Sequence, residues 1–349
     1  TTAHARSAIL YKAWQLMLER KEDLARTMTM EQGKPLRAAR TEVQYAADFL
    51  LWFAEEAKRT YGETIPSARA DQRFIVSHYP VGVVAAITPW NYPVSMITRK
   101  VGPALAAGCT VVLKPAEATP LSAIKVFEIL AEAGVPDGVI NLVTTSNPAP
   151  VGEEFVSNPL VRKLTFTGST AVGKMLAGKA AGNMKRVSCE LGGHAPFLVF
   201  DDADPVHAAK GVQLVKFLNT GQACISPNRI FVHQSKVDAF DDTLQSRVAG
   251  MQAGSGFEEG VTIGPLVDER AVTKVSAQVD DAVAKGAEVV CGGNRLISNG
   301  LDKGFFYAPT VLRGVTPDML IYREETFGPV APIITFEDDQ EALKMANDT

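Results

Sequence analysis

The stretch "VGVVAAITPWNYPVSMITRKVGPALAAGCTVVLKPAE", residues 81–117, decides the fold class of this chain. An apolar, β-branched run (81–90) precedes a segment with apolar residues at helical spacing (93–108), and a second apolar run (109–115) follows. Short apolar strands that alternate with helices indicate right-handed βαβ units and a parallel sheet with both faces buried. We therefore predict an α/β fold built on a doubly wound parallel sheet.

The alternation begins at residue 81 and continues toward the C-terminus, after a mainly helical first segment. Patterns typical of two helices (7–33 and 38–62) and a hairpin-like stretch (63–80) come first. Downstream we predict a helix over 119–134 with Thr119 as its N-cap and Gly134 as its C-cap. The further predicted strands are 138–143, 161–168, 185–193, 195–200, 228–232 and 287–293, and the further predicted helices are 148–158, 169–182, 204–221, 268–286 and a last one from 338 that the chain end interrupts. The pattern restarts after Gly193, which predicts a first domain over 1–192 and a second α/β domain over 193–349.

Composition excludes several classes of protein. The 349 residues exceed what one compact core usually needs, and the net charge of −4 argues against a nucleic-acid binder. No apolar run is long enough to span a bilayer, and no signal peptide is visible. The four cysteines form no C-x-x-C pair and have no histidines at metal spacing, so we expect no metal site and reduced thiols, as in the cytoplasm.

Polar residues stand where the predicted strands end, and ligands of such sheets bind outside those ends. Lys114 and Glu117 in "KPAE" can hydrogen-bond to the hydroxyls of a ribose. Gly168 in "FTGST" precedes a predicted helix whose N-terminal amides can bind phosphate. Glu190 in "CELGG", if partly buried, holds its proton more tightly and can act as a general base, and the Asn91 amide in "TPWNYP" can donate to an oxyanion. Taken singly, each motif also has a structural explanation. "KPAE" can be a solvated loop with an ion pair, and "FTGST" can be a tight turn. Glu190 can be an exposed glutamate at a strand end, and Asn91 can be a turn asparagine.

One cysteine stands apart from the other three. Cys224 in "FLNTGQACISPNRIFV", residues 217–232, lies three residues after a glycine in a neutral loop that runs into an apolar strand. It is either a buried structural thiol or a nucleophile. Cys109, Cys189 and Cys291 lie in or beside apolar strands, and we expect them to be structural.

Together and in this order, the motifs "PWN", "KPAE", "FTGS", "ELGG", "GQAC" and "EETFGPV" resemble the aldehyde dehydrogenase superfamily over essentially the whole chain. The longer stretches "MITRKVGPALAAG", "NPLVRKLTFTGST", "ELGGHAPFLVFDDAD" and "VTIGPLVDERAV" resemble its succinate-semialdehyde dehydrogenase branch. The resemblance implies an NAD-binding domain over 1–192 and a catalytic domain over 193–349 that is incomplete at its C-terminal end. The sequence starts without methionine, and chains of that family extend well past Thr349, so we expect this chain to be cut at both ends.

The resemblance also implies a mechanism. Cys224 attacks the aldehyde, the Asn91 amide and the Cys224 N–H stabilise the oxyanion, and water activated by Glu190 releases the acid from a thioester. Lys100 lies at the same site in family members. The residues implied for the coenzyme are Thr88, Pro89, Trp90, Lys114, Glu117, Gly168, Ser169, Leu191, Glu325 and Phe327. Because Glu117 would repel a 2′-phosphate, we expect NAD rather than NADP.

Two positions depart from the branch pattern. Arg99 matches one of the two arginines that hold the substrate carboxylate, but Leu218 stands where the second is expected, six residues before Cys224. The pocket is therefore expected to accept a less acidic or more apolar aldehyde as well. Ser226 stands where many relatives have a second cysteine, so we predict no disulfide with the nucleophile.

The leading prediction is oxidation of succinate semialdehyde or a similar small semialdehyde by a homodimer or homotetramer that associates through residues 62–80, with no nucleic-acid or membrane partner. The alternatives are a dehydrogenase for a neutral aliphatic or aromatic aldehyde, a CoA-acylating dehydrogenase, a thiol hydrolase, and a non-catalytic NAD-binding protein of the same fold.

Overall fold

The computed structural model describes residues 1–349 and divides them into two compact units. The first comprises Thr1–Glu31 and Ala39–Leu191, and the second comprises Gln32–Ala38 and Gly192–Thr349. No helix in the chain combines the length and the apolar character that a membrane crossing requires.

The first unit opens with helices and a hairpin. These are α1 (Ala3–Glu19), α2 (Lys21–Gln32), α3 (Leu36–Glu56), and the antiparallel strands β1 (Glu63–Ile65) and β2 (Phe74–Val76). The predicted continuous helix over 7–33 is therefore two helices, because Arg20 leaves the helical conformation and its N–H caps α1 by donating to the Leu16 carbonyl.

The rest of the first unit alternates strictly between strands and helices. The elements are β3 (Val83–Ile87), α4 (Ser95–Ala106), β4 (Thr110–Lys114), α5 (Pro120–Glu132), β5 (Ile140–Leu142), α6 (Pro148–Ser157), β6 (Val161–Thr167), α7 (Thr170–Ala181) and β7 (Arg186–Glu190). The five strands form a parallel sheet in the order β5-β4-β3-β6-β7. The first strand in sequence, β3, lies at the centre, so the chain winds outward from it in both directions, which places the binding crevice of such folds beside β3.

Apolar side chains on both faces of this sheet explain why it forms. Ala85, Leu113 and Leu164 are completely buried, one on each of the three inner strands. The predicted cap of α5 differs in detail, because the Thr119 side chain makes no capping hydrogen bond. The carboxylate of Glu31 instead accepts from the N–H groups of Leu121 and Ser122 at the start of α5.

The second unit contains a mixed sheet. Its elements are β8 (Pro196–Val199), α8 (Pro205–Lys216), β9 (Arg229–His233), α9 (Val237–Ala249), α10 (Glu269–Ala284), β10 (Glu288–Cys291), β11 (Thr310–Arg313), α11 (Leu320–Arg323), β12 (Val330–Phe336) and α12 (Asp339–Ala346). The strand order is β10-β11-β12-β9-β8, and only β10 runs antiparallel to its neighbour. No sequence pattern predicted α9, β11, α11 and β12. The helix predicted from residue 338 ends at Ala346, three residues before the last residue.

A short early segment, Gln32–Ala38, packs with the second unit, although the sequence predicts that it belongs to the first domain. The N–H of Leu36 donates to the Gly256 carbonyl at 2.8 Å, and Gly33 has φ +81°. A side chain at Gly33 would lie 2.4 Å from the ring of Pro265. Backbone contacts of this kind leave no periodic signal in a sequence, so the pattern of the residues did not predict them.

Candidate active site

The predicted residues divide between the two units. The first unit holds Thr88, Pro89, Trp90, Asn91, Arg99, Lys100, Lys114, Glu117, Gly168, Ser169, Glu190 and Leu191, and the second holds Cys224, Glu325 and Phe327. No group of three or more histidine, cysteine, aspartate or glutamate side chains is arranged to hold a metal ion.

The register of the parallel sheet brings the first group to one edge. Ile87 pairs with Lys114 on one side and with Phe166 on the other, so the carboxyl ends of β3, β4 and β6 lie level. The N–H of Thr88 donates to the Lys114 carbonyl at 3.1 Å, which ties the ends of two strands together. The residues that follow these strands in sequence therefore leave the sheet at a common edge.

Lys114 and Glu117 form an ion pair at this edge. The Lys114 side chain is buried, and its Nζ lies 2.5 Å from Glu117 Oε1 and donates to the Pro115 carbonyl at 2.9 Å. An ammonium has three donors, so one is left for a ligand. Glu117 is 43% exposed, and its carboxylate can accept from a hydroxyl. The ion pair that the sequence offered as the plain alternative is present, and it is compatible with binding a ribose.

Gly168 and Ser169 form the turn from β6 into α7. A side chain at Gly168 would lie 2.5 Å from the Phe166 ring, and the Gly168 N–H donates to the Glu190 carbonyl at 3.1 Å. The Ser169 hydroxyl caps α7 by accepting from the Val172 N–H. Leu191 lies against Gly173 in the first turn of α7, where a side chain would clash at 2.3 Å. The N-terminus of this twelve-residue helix presents its amides and its positive dipole end.

Two buried hydroxyls at the same edge make no hydrogen bond. They belong to Thr88, after β3, and Thr167, at the end of β6. Buried polar atoms usually have partners, so a pair of unmatched hydroxyls at one sheet edge indicates a polar ligand. A buried amine, a carboxylate, a helix N-terminus and free hydroxyls are the groups that riboses and phosphates require, and the edge therefore fits a dinucleotide.

Lys100 lies inside the unit, on α4. Its Nζ donates to the Thr165 hydroxyl at 3.0 Å. Burial lowers the pKa of Lys100 to about 8, while the negative charge of Glu190 acts in the opposite direction. The neighbouring Arg99 lies over the ring of Phe49, 5.1 Å from its centre, and donates to the Met96 sulfur. The resemblance assigned both basic residues to the site, and the hydrogen bond to Thr165 holds the Lys100 amine inside the first unit.

Glu190, the last residue of β7, and Asn91, four residues after the end of β3, lie in different environments. Glu190 is exposed, which corrects the expectation of a partly buried carboxylate. The reason is that β7 is an edge strand with a neighbour on one side only, and Glu190 is its last residue. Asn91 is buried and Trp90 and Pro89 are half-buried, so the amide of Asn91 is held within the fold.

In the second unit, the loop before Cys224 has an unusual backbone. The predicted helix over 204–221 ends at Lys216, and Asn219, Thr220 and Gly221 have φ values of 51°, 61° and 74°. Left-handed conformations are costly for residues other than glycine, above all for β-branched threonine. A side chain at Gly221 would lie 2.1 Å from the Gly328 carbonyl oxygen, so glycine is required there.

Buried hydrogen bonds hold this loop. The Thr220 hydroxyl is bonded to both backbone groups of Gly264, and Gln32 Nε2 donates to Asn219 Oδ1 at 2.9 Å. Gln222 Nε2 donates to the carbonyls of Asn219 and Pro265, while its Oε1 accepts from the Val267 N–H. No motif in the sequence marks these side chains as functional, and only the run of asparagine, threonine and glycine before Gln222 signals a turn.

None of the four cysteines forms a disulfide, and Cys224 is exposed, whereas Cys109 is buried and Cys189 and Cys291 are half-buried. Accessibility favours a reactive thiol over a structural one. Two residues further on, the Ser226 hydroxyl donates to the Lys216 carbonyl at 3.0 Å, which ties the loop back to the end of α8.

Glu325 and Phe327 lie in the segment before β12. Glu325 Oε1 accepts from the Gly193 N–H at 3.4 Å, and a side chain at Gly192 would lie 2.3 Å from Glu325 Oε2. Burial raises the pKa of Glu325, and the Gly193 N–H, Lys274 and Lys216 act in the opposite direction. Phe327 has φ +54°, a second strained position, and the Thr326 N–H between them donates to Asn228 Oδ1 at 3.2 Å.

The chain is similar to known proteins over its whole length. The aldehyde dehydrogenase family matches residues 1–349. The chain is 53% identical over 348 residues to the NADP(+) succinate-semialdehyde dehydrogenase GabD of Escherichia coli, and 52% identical over 348 residues to a glutarate-semialdehyde dehydrogenase of Pseudomonas aeruginosa. In both comparisons the matched region includes all of this chain and 71% of the relative.

A solved structure of a succinate-semialdehyde dehydrogenase is also similar to this chain in fold and sequence. The crystal structure of succinate-semialdehyde dehydrogenase from Burkholderia pseudomallei matches with a TM-score of 0.97 at 50% identity, over all of this chain and 71% of that one. The resemblance of the sequence motifs and the predicted α/β fold are confirmed. The chain belongs to the aldehyde dehydrogenase family and is an NAD(P)-dependent oxidoreductase.

Proposed function

We propose that this protein oxidises a small semialdehyde to the corresponding carboxylic acid. The names of its relatives, for succinate semialdehyde and glutarate semialdehyde, support this substrate class. The observation that carries the chemistry is the exposed Cys224 thiol, which follows a loop held in a strained conformation by buried hydrogen bonds. Strain of this kind persists where function needs a fixed geometry.

The first step assigned to this chain is formation of a carbon–sulfur bond. The Cys224 thiolate adds to the aldehyde carbon, and the carbonyl electrons move to oxygen, which becomes an oxyanion. We assign the stabilising donors to the Asn91 side-chain amide and the Cys224 N–H. Removing one donor of this kind from an enzyme typically costs about 2.7–4 kcal/mol in the barrier. The burial of Asn91 supports the assignment, because a fixed dipole needs no reorganisation during the reaction.

The second step is release of the acid. Bound NAD(P) would supply the hydride acceptor, and loss of hydride from the adduct as its oxyanion collapses would leave a thioester on Cys224. Glu190 then takes a proton from water, the oxygen of that water adds to the thioester carbonyl, and the carbon–sulfur bond breaks to regenerate the thiolate. The exposure of Glu190 supports a role with water as the co-substrate. A CoA-acylating enzyme would not need this base.

For the coenzyme, we propose that Lys114 and Glu117 hold the adenosine ribose and that Gly168, Ser169 and Leu191 line the pyrophosphate path. Thr88, Pro89 and Trp90 lie along the same path, and Glu325 and Phe327 hold the nicotinamide ribose and ring. A carboxylate at Glu117 favours NAD over NADP, because it meets a 2′-phosphate with like charge. Since one relative is named for NADP(+), both coenzymes belong in every assay.

The identity of the semialdehyde depends on Arg99 and Leu218. We assign Arg99 to the substrate carboxylate. Leu218 is 38% exposed and carries no charge, and it favours a second candidate function, oxidation of a neutral aliphatic or aromatic aldehyde. The two candidates differ in how strongly they need a carboxylate on the substrate.

The test is formation of reduced coenzyme with succinate semialdehyde, glutarate semialdehyde, a neutral aliphatic aldehyde and benzaldehyde, each with NAD and with NADP. Cys224→Ala should abolish turnover, while the matched Cys291→Ala should retain it. If the neutral aldehydes exceed the semialdehydes in kcat/KM, the second candidate is preferred. If NAD binds but no aldehyde is oxidised, the protein is a non-catalytic NAD-binding member of its family.

We also propose a homodimer or homotetramer that associates through residues 62–80. The hairpin of β1 and β2 has no buried residue, and its apolar side chains face solvent. A two-stranded sheet is marginal alone in water, so a partner chain would stabilise it. Four free cysteines support a reducing compartment such as the cytoplasm.

A further inference from the structure

Glu42 on α3 is a buried acidic residue that the proposed mechanism does not use. Only 3% of its surface is exposed. Its Oε1 accepts hydrogen bonds from the N–H groups of Val94 at 3.0 Å and Ser95 at 3.2 Å, and the Ser95 hydroxyl lies 3.5 Å from the same oxygen. The carboxylate of one helix therefore caps the start of another, α4, which lies far away in the sequence.

The start of α4 has no cap of its own. Val94 flanks the helix without a capping side chain, and the first turn contains no acidic residue. Val94 and Ser95 are both buried, so water is not at hand to replace a lost acceptor for their N–H groups. Buried N–H groups without a partner are costly, and a negative charge at this end of a helix also complements its dipole. Glu42 meets both requirements.

The same face of α3 holds the rest of α4. Phe49 and Phe53 follow Glu42 at helical spacing, so the three side chains share one face of α3. Arg99 of α4 lies over the Phe49 ring, 5.1 Å from its centre, and a side chain at Gly102 would lie 3.2 Å from the Phe53 ring. α4 is therefore packed along α3, and Glu42 fixes its beginning.

The capped segment continues directly into the loop of Asn91. The Met96 N–H donates to the Tyr92 carbonyl at 3.1 Å, so the residue after Asn91 is joined to the first turn of α4. The other end of the loop is tied to the end of β4 by the N–H of Thr88. The Asn91 amide thus lies between two fixed points, and the carboxylate of Glu42 holds the second of them.

We propose that Glu42 is a positioning residue for Asn91, because its carboxylate fixes the start of α4 and thereby the amide that donates to the oxyanion. This inference rests on the proposed role of Asn91. A donor stabilises an oxyanion best when it is already in place, and a displacement of about 1 Å can cost on the order of 100-fold in rate. Loss of the cap should therefore lower kcat more than it weakens coenzyme binding.

The test measures kcat with succinate semialdehyde and NAD binding by isothermal titration calorimetry, whose stoichiometry counts the folded sites. Glu42→Met removes the acceptor and should lower kcat per site about tenfold, with a change in the Kd for NAD of less than about threefold. Glu42→Gln retains an acceptor oxygen and should keep kcat within about threefold of wild type. Glu55→Met, at an exposed position of α3, should change neither quantity.

A second variant separates positioning from a purely structural role. In an Asn91→Ala background, Glu42→Met should still lower the melting temperature but should have no further effect on kcat. Unchanged kcat in Glu42→Met, or an equal fall in kcat in the Asn91→Ala background, would overturn the inference and leave the proposed function intact. Full activity of Asn91→Ala would instead reject the role of Asn91 on which the inference rests.

If Glu42→Met does not fold, Glu42→Asp and Glu42→Gln decide. Aspartate keeps the charge but withdraws the acceptor by one methylene, whereas glutamine keeps the reach and loses the charge. We expect kcat per site to be lower in Glu42→Asp than in Glu42→Gln by about threefold or more, because the position of the acceptor is what fixes the loop. Equal kcat in the two variants would overturn the inference.

Discussion

The hydroxyl of Thr220 accepts a hydrogen bond from the Gly264 N–H at 3.0 Å and donates one to the Gly264 carbonyl at 3.2 Å. Both residues belong to the second unit and both contacts are buried. Thr220 has φ +61°, a conformation that costs a β-branched residue about 1–3 kcal/mol. The reciprocal pair with Gly264 offsets that cost and fixes the loop four residues before Cys224.

The first prediction concerns this pair. Thr220→Val keeps the shape of the side chain but leaves both backbone groups of Gly264 without their partner, so we expect a loss of about 1–3 kcal/mol in the free energy of unfolding. Because the loop then relaxes, kcat/KM should fall at least about tenfold and alkylation of Cys224 by iodoacetamide should change in rate. Thr220→Ser, which retains the hydroxyl, should keep most of the activity. Equal activity of the two variants would contradict the prediction.

The second prediction concerns coenzyme choice. Glu117→Ser removes the negative charge that is paired with the buried Lys114, so a 2′-phosphate no longer meets a like charge. We expect the ratio of kcat/KM for NADP to that for NAD to rise by about tenfold or more. Glu128→Ser makes the same charge change at an exposed position of α5 and should leave the ratio unchanged. If both variants behave alike, Glu117 does not set the preference.

The third prediction concerns Asp241 on α9. Neither of its carboxylate oxygens has a hydrogen bond, although Arg313 Nε lies 3.3 Å away. Burial raises the pKa of Asp241 to about 6 from the ordinary value of 3.8, so the folded protein binds this proton more tightly than the unfolded chain. The contribution is therefore stabilising below the unfolded pKa and is lost as the pH rises through about 6.

Asp241→Asn should remove this dependence. Relative to wild type, its free energy of unfolding should increase between about pH 4 and pH 6, by on the order of 2 kcal/mol. Urea unfolding across that range measures the difference. Asp242→Asn, at the exposed neighbouring position, should show no such trend. A constant difference between Asp241→Asn and wild type over this range would reject the explanation.

The fourth prediction concerns assembly. Ile75 lies in β2 with 77% of its surface exposed, beside the similarly exposed Tyr79. If the hairpin is covered by a second copy, Ile75→Glu should bury an unpaired charge and lower the mass measured by size-exclusion chromatography with light scattering. Ile297→Glu, at a 64% exposed position of the second unit, should leave the mass unchanged. An unaltered mass for Ile75→Glu would exclude this surface.

Much of the first unit was predictable because its signals are local. The apolar run over β3 and the glycine that ends α4 mark elements whose order allows few topologies. Parallel strands also bring their carboxyl ends to one edge, so Lys114 and Gly168 could be assigned to a common edge from sequence position alone. The burial of Glu190 could not be predicted, because its exposure depends on β7 being an edge strand.

The sequence by itself determined the fold class, the family, and Cys224, Glu190 and Asn91 as candidate catalytic residues. These could be predicted because strand–helix periodicity and short motifs depend only on residues that are close together in the sequence. Only the tertiary structure decided the strained loop at Thr220 and the exposure of Glu190. The loop depends on contacts between residues more than forty positions apart, and the exposure depends on the place of β7 at the edge of its sheet, so neither follows from local propensity.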